Sequence, residues 1–134
     1  MKVLVTGGRH YQGVQVVTTF LDRLHASRPI SLIIQGGATG ADALAKRWAE
    51  RRGIPVSTYA VSKAEWDRFG KVAGPMRNQR MLDESKPDVV VAFPGNNGTA
   101  DMVRRARKAG VEVLVAVPPA GTQMELPILK AKGT

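Results

Sequence analysis

The chain has no cysteine, only two histidines (His10 and His25), and aromatic residues at 5% of its composition. Without thiols there can be no disulfide, no thiolate nucleophile and no cysteine-based zinc site, and two histidines do not make a histidine-rich metal centre. No metal is expected. No apolar run approaches the roughly 18 residues of a membrane span, and the apolar core of "MKVLVTGG" is too short for a secretory signal. The expectation is a soluble, cytoplasmic protein with no membrane partner. Neither G-x-G-x-x-G nor G-K-[ST] occurs in the glycine-rich "QGGATGAD", so a dinucleotide fingerprint and a triphosphate P-loop are both unsupported. No organic cofactor is expected.

Acidic residues are also few. Against 11 of them stand 20 lysines and arginines, a formal net charge of +9 that favours anionic partners: phosphates, nucleotides or nucleic acid. Most of the cations, among them Arg51, Arg52, Arg104, Arg105, Arg107 and Lys108, read as solvated outer faces of helices. At 134 residues the chain has the size of one domain with a single core.

What is present is a regular alternation. "KVLVT" (2–6), "SLIIQ" (31–35), "IPVSTYA" (54–60), "DVVVAF" (88–93) and "VEVLVAV" (111–117) are apolar, β-branched runs. Between them, 14–27, 41–53, 75–85 and 99–110 read as helices; Val17, Phe20, Leu21 and Leu24 draw one apolar stripe along the first. Strands that are apolar throughout are those covered on both faces, as in a parallel sheet flanked by helices. The expected fold is therefore an α/β, Rossmann-like three-layer domain over residues 1–117, with a mainly parallel sheet of about five strands. Residues 118–134, rich in proline and polar at the end, are expected to form an arm or a partly disordered tail.

Three of the strands feed glycine turns, "TGGRHYQG", "QGGATGAD" and "FPGNNGTAD", all on the carboxyl edge of such a sheet. Glycine turns entering helices expose N–H groups that have no intrahelical partner, and with the helix dipole these form an anion site. Candidate ligand contacts are Gly7, Gly8 and Arg9 in the first turn, and Gly36, Gly37, Thr39 and Gly40 in the second. In the third they are Gly95, Asn96, Asn97, Gly98 and Thr99. Thr39 or Asp42, and Thr99 or Asp101, are placed to cap the helix starts or touch the ligand. In "SKAEWDRFGKVAGPMRNQRM", Trp66 is a candidate base-stacking residue or a core plug. Arg77 and Arg80 share one helix face and can clamp a phosphate. His10 and Tyr11 are lesser loop candidates.

The segments "VTGGRHY", "GGATGADALAKRWA", "WDRFGKVAGPMRNQRM" and "FPGNNGTADMVRRA" together resemble the SLOG superfamily. "PMRNQRM" and "FPGNNGTADM" in particular resemble the two motifs of LOG phosphoribohydrolases, an Arg-Lys helix and a P-G-G-x-G-T-x-x-E loop. The resemblance implies a nucleotide-phosphate site at Gly95, Gly98 and Thr99, a catalytic role for Arg77 with Asn78 at the lysine position, and a homodimer. It also implies kinship with the Rossmann domain of DNA-processing protein A. The sequence departs from the motif at one point: counting from Pro94, the catalytic glutamate position holds Met102. Cleavage of an N-glycosidic bond develops positive charge on the sugar and draws on a carboxylate. Asp42, Glu65 or Asp67 is then the candidate acid.

Three readings follow: a nucleotide-derivative site that senses, sequesters or hydrolyses its ligand; a single-stranded nucleic-acid-binding module; or an assembly domain whose turns are purely structural.

Overall fold

The structure, a computed structural model, describes residues 1–116. The expected tail, 118–134, lies outside the described residues. Five strands, β1 (Lys2–Thr6), β2 (Leu32–Gln35), β3 (Val56–Thr58), β4 (Val89–Ala92) and β5 (Glu112–Val115), form one sheet in the order β3-β2-β1-β4-β5. Every pairing in it is parallel. Five helices connect or flank them: α1 (Val14–Ser27), α2 (Ala41–Arg51), α3 (Lys63–Phe69), α4 (Ala73–Ser85) and α5 (Asn97–Lys108).

The uninterrupted apolar strands have the expected cause. Val3 and Val5 face one way, against Val17, Phe20 and Leu21 of α1 and Ala45 and Trp48 of α2. Leu4, Ile34 and Val90 face the other way, against Met81 and Leu82 of α4 and Met102 and Ala106 of α5. Alternation of side chains thus fills two cores, one on each face of the sheet. A fully buried side chain such as Phe20 contributes about 2–3 kcal/mol through removal of its surface from water.

The sheet order fixes where a ligand can go. The chain runs outward from β1 through β2 to β3, then crosses back past β1 to β4 and outward to β5, so the switch point lies between β1 and β4, where Thr6 is paired with Ala92. Ligands of open α/β sheets bind at that place, outside the carboxyl ends of the strands.

No apolar stripe marks 61–74, yet much of it is helical. Ser62 and Glu65 form a capping box: the serine hydroxyl accepts from the Glu65 N–H at 3.1 Å, and the glutamate accepts from the Ser62 N–H at 3.1 Å. That reciprocal pair stabilises α3 although none of its residues is buried. Pro75 sits in the first turn of α4, where its missing N–H costs nothing.

Candidate functional site

At the switch point the first and third glycine turns are tied together. The Gly8 N–H donates to the Pro94 carbonyl at 2.9 Å, and the Phe93 N–H to Thr6 at 2.9 Å. A Cβ at Gly95 would strike the Thr99 hydroxyl and lie 2.6 Å from the Gly8 nitrogen, so this crossing of two chains requires glycine. Above it opens a cleft of two adjoining lobes. The near lobe, about 540 Å³, lies over Gly7, Gly8, Gly95 and Asn96; the far lobe, about 710 Å³, extends past Thr39 and Asn97 to Trp66. Arg9, Gly36, Ala38, Arg77, Asn78 and Gly98 line both.

The start of α5 faces this cleft. Its N-cap, Asn96, makes no side-chain capping bond, and the first intrahelical bond runs from the Ala100 N–H to the Asn96 carbonyl. The N–H groups of Asn97, Gly98 and Thr99 consequently have no partner among the described residues. Three unpaired donors at the positive end of a helix dipole form an anion site.

The second turn is built differently from the third. Three of its donors are used: Asp42 Oδ2 accepts from the N–H of Gly36 at 3.1 Å and of Ala38 at 3.2 Å, while the Gly37 N–H donates to Gln35 Oε1 at 2.5 Å. The Ala41 N–H at the start of α2 donates to the Gly8 carbonyl at 3.1 Å, and the Thr39 hydroxyl donates to the Arg9 carbonyl at 2.7 Å. Gly36, Gly37 and Thr39 line the cleft, Gly40 does not, and the N–H groups of Thr39 and Gly40 have no partner among the described residues. Asp42 caps the turn before its helix, not the helix itself.

Arg77 projects from α4 into the ridge between the lobes. Its Nη1 donates to the Gly36 carbonyl at 2.7 Å and the Tyr59 carbonyl at 3.2 Å, and its Nε to Asn78 Oδ1 at 3.1 Å. Burial lowers its pKa, with Asp42 opposing the shift, yet a guanidinium remains a cation at any ordinary pH. Asn78, itself buried, donates to the Gly98 carbonyl at 3.3 Å and to Asp101 Oδ2 at 3.0 Å, which fixes α5 and its open start relative to Arg77. Burial pushes the Asp101 pKa up, but hydrogen bonds from Arg105 and Asn78 outweigh it, and the net shift is downward.

Asp42 is the unusual carboxylate. Burial pushes its pKa up from 3.8 to about 6, against the opposing pull of the Ala38 and Gly36 N–H groups and Arg77. Its Oδ1 has no hydrogen-bond partner, and since no fully buried side-chain oxygen among the described residues lacks one, that atom reaches the solvent of the near lobe. The shift has a measurable consequence. The folded state holds the Asp42 proton more tightly than the unfolded chain, so stability falls as pH rises from about 4 to about 6, by up to about 3 kcal/mol. Glu65 and Asp101, both shifted downward, act with the opposite sign, their stabilisation being lost as pH falls. Urea titrations across pH should show the 4-to-6 slope in the wild type and lose it in Asp42→Asn; an unchanged slope in the variant refutes the assignment.

The remaining candidates divide. Trp66 lines the far lobe and Tyr11 and His10 the near one. Glu65 and Arg80 line neither; Arg80 Nη1 lies 3.5 Å from Glu65 Oε2, with its guanidinium 5.8 Å from the Tyr59 ring centroid. Asp67 pairs with Lys63 at the surface. Met102, at the glutamate position of the LOG motif, is fully buried on the face of α5 that packs on the sheet. Lys71 also lines the far lobe, carried by the 3₁₀ turn Gly70–Val72.

A model of the YspA, cpYpsA-related SLOG family matches residues 1–69. The chain is 40% identical over 119 residues to the Gene 61 protein of Mycobacterium phage D29, covering 84% of this chain and 94% of the phage protein. DNA processing protein A from Streptococcus pneumoniae has a similar fold, with a TM-score of 0.71 at 19% identity over 90% of this chain. The chain spans about half of that protein, 51% of its length. MurG of Acinetobacter baumannii is more distant, with a TM-score of 0.57 at 14% identity, over 96% of this chain and 45% of MurG. Among the described residues no helix is long and apolar enough to cross a membrane.

Proposed function

From the premise that the chain belongs to the YspA, cpYpsA-related SLOG family, we propose that it binds a nucleotide or nucleotide-derived ligand in the switch-point cleft. One observation carries this reading: the three unpartnered N–H groups of Asn97, Gly98 and Thr99 open into a cleft that also presents the guanidinium of Arg77. The ligand phosphate sits on those main-chain donors, and its remaining charge is met by Arg77 and Arg9. Nucleoside monophosphates at millimolar concentration should raise the melting temperature through preferential binding to the folded state. No shift across a panel of phosphate-bearing nucleosides would defeat the proposal.

A second reading, hydrolysis of the N-glycosidic bond, is favoured by the open Oδ1 of Asp42. Asp101 is engaged by Asn78, Arg104 and Arg105, and Met102 carries no charge, which leaves Asp42 as the carboxylate facing the near lobe. Protonated below about pH 6 and ionised above, it can give a proton to a leaving base or polarise a water. Free base released from nucleoside monophosphates, with release lost and thermal shift kept in Asp42→Asn, is the expected pattern. Absence of release in the wild type would leave binding alone.

The reading extends to a homodimer. Val72 and Met76, both about half exposed near the start of α4, give one face an apolar character that a second copy would cover. Light scattering should give twice the chain mass.

A further inference from the structure

The two lobes differ in chemistry. The near lobe is lined by the glycine main chain, Tyr11 and the Asp42 carboxylate, whereas the far lobe has an apolar wall of Val61, Trp66 and Pro75 and the cation Lys71; Arg9 borders both. Trp66 is 44% exposed, and α3, which carries it, buries none of its residues. The indole is thus no core plug. It rests beside the start of α4, where a Cβ at Gly74 would lie 4.0 Å from its ring. Arg9 and Lys71 have no ion-pair partner among the described residues, whereas Arg104, in the same lobe, is paired with Asp101 at 2.9 Å.

An accessible tryptophan beside unpaired cations is the composition that stacks a base and neutralises the phosphate attached to it. Thr99 lines the near lobe, Asn97 the far one and Gly98 both, so a phosphate on the α5 donors sits where the lobes adjoin. Either lobe alone has the volume of a small-molecule site, and a single nucleoside fills one and leaves the other open. Arg77 and Asn78 border both lobes, and a phosphodiester linkage can pass between them.

Resting on the reading above and narrowing it, we propose that the ligand is of dinucleotide size: two phosphate-linked nucleoside units, one phosphate on the α5 start and the second unit's base stacked on Trp66 beside Lys71 and Arg9.

The test uses the full chain, calorimetry and tryptophan fluorescence, with adenosine monophosphate, the 5′-phosphorylated dinucleotide pApA and a twelve-nucleotide single strand as probes. The dinucleotide should bind at least tenfold more tightly than the monophosphate and quench the fluorescence of Trp66; Trp48, buried and hydrogen-bonded to Asp22, supplies a signal that does not respond. Trp66→Ala and Lys71→Ala should each weaken dinucleotide binding by about tenfold and leave monophosphate binding unchanged. Trp66 lies outside both cores, so its variant should fold; an unchanged melting temperature checks that. Equal affinities for the two small probes, or a Trp66→Ala variant that binds both as the wild type does, would overturn the inference and leave the phosphate site standing. Tighter binding of the twelve-mer than of pApA, with a steep salt dependence, would replace it with a single-stranded nucleic-acid groove. Failure of every probe to bind would remove the underlying reading as well.

Discussion

Replacing Arg77 with alanine should lower the folding free energy by about 2–4 kcal/mol and abolish the thermal response to nucleotides. The estimate starts from what the guanidinium holds. It satisfies the carbonyls of Gly36 and Tyr59, at the ends of β2 and β3, and it is half-buried, so its loss leaves two acceptors without a donor in a region that excludes much of the water. Each such group costs about 1–3 kcal/mol, and partial solvent access places the total below the cost of breaking a fully buried ion pair. A second effect is specific to this site. Arg77 holds the Asp42 pKa down, so its removal should drive that pKa above its present value of about 6. Carboxyl titration by NMR reads the shift directly. Arg77→Lys should restore the charge but not the forked geometry, recovering part of the Asp42 effect and little of the stability. If Arg77→Ala unfolds with wild-type midpoint and slope in urea, the guanidinium does not join these strands.

Gly40→Ala should be at least as damaging, for a purely steric reason. Gly40 has φ +73° and ψ −130°, a conformation that side chains avoid, and a Cβ there would overlap the Gly8 carbonyl and come within 2.6 Å of the Arg9 carbonyl carbon. Backbone strain of this kind costs about 1–3 kcal/mol, and the overlap adds to it, because the Gly8 carbonyl also accepts the Ala41 N–H and cannot simply retreat. A loss of about 3–4 kcal/mol corresponds to a drop in melting temperature of roughly 10–15 °C for a chain of this size. Gly53→Ala is the control: φ is +67°, but nothing lies within 4 Å of the added carbon, so only the conformational cost of about 1–2 kcal/mol remains. Equal effects at the two positions would show that conformation alone matters and that the packing of the first turn on the second does not.

These residues also mark how far the amino-acid order reveals the structure. Val3, Leu4 and Val5 are legible as a strand covered on both faces because every one of them is apolar, and the glycines after β1, β2 and β4 show where the strands stop. Helix α3 was hidden because it has no apolar stripe; its Ser62-x-x-Glu65 box was the available signal, and it is purely local. The occupied amides of Gly36 and Ala38 were invisible for another reason. Asp42 caps backward onto a turn it follows, while the same residue type in the same place usually caps forward. The Asn78–Asp101 bond joins residues 23 apart on two helices, a pairing that no local pattern encodes. Met102 is different again: the motif position was readable, but its burial required the packing of α5 on the sheet.

The place of β1 in the middle of the sheet has a consequence for synthesis. Its partners are β2, made soon afterwards, and β4, whose register with it joins Val3 to Val89. A chain emerging from the ribosome therefore carries one edge of its central strand bare until nearly ninety residues have appeared, exposing a β-branched surface of the kind that invites wrong partners. A nascent chain halted at residue 69 should bind holding chaperones, and one extended past β4 by more than the exit-tunnel length should let them go.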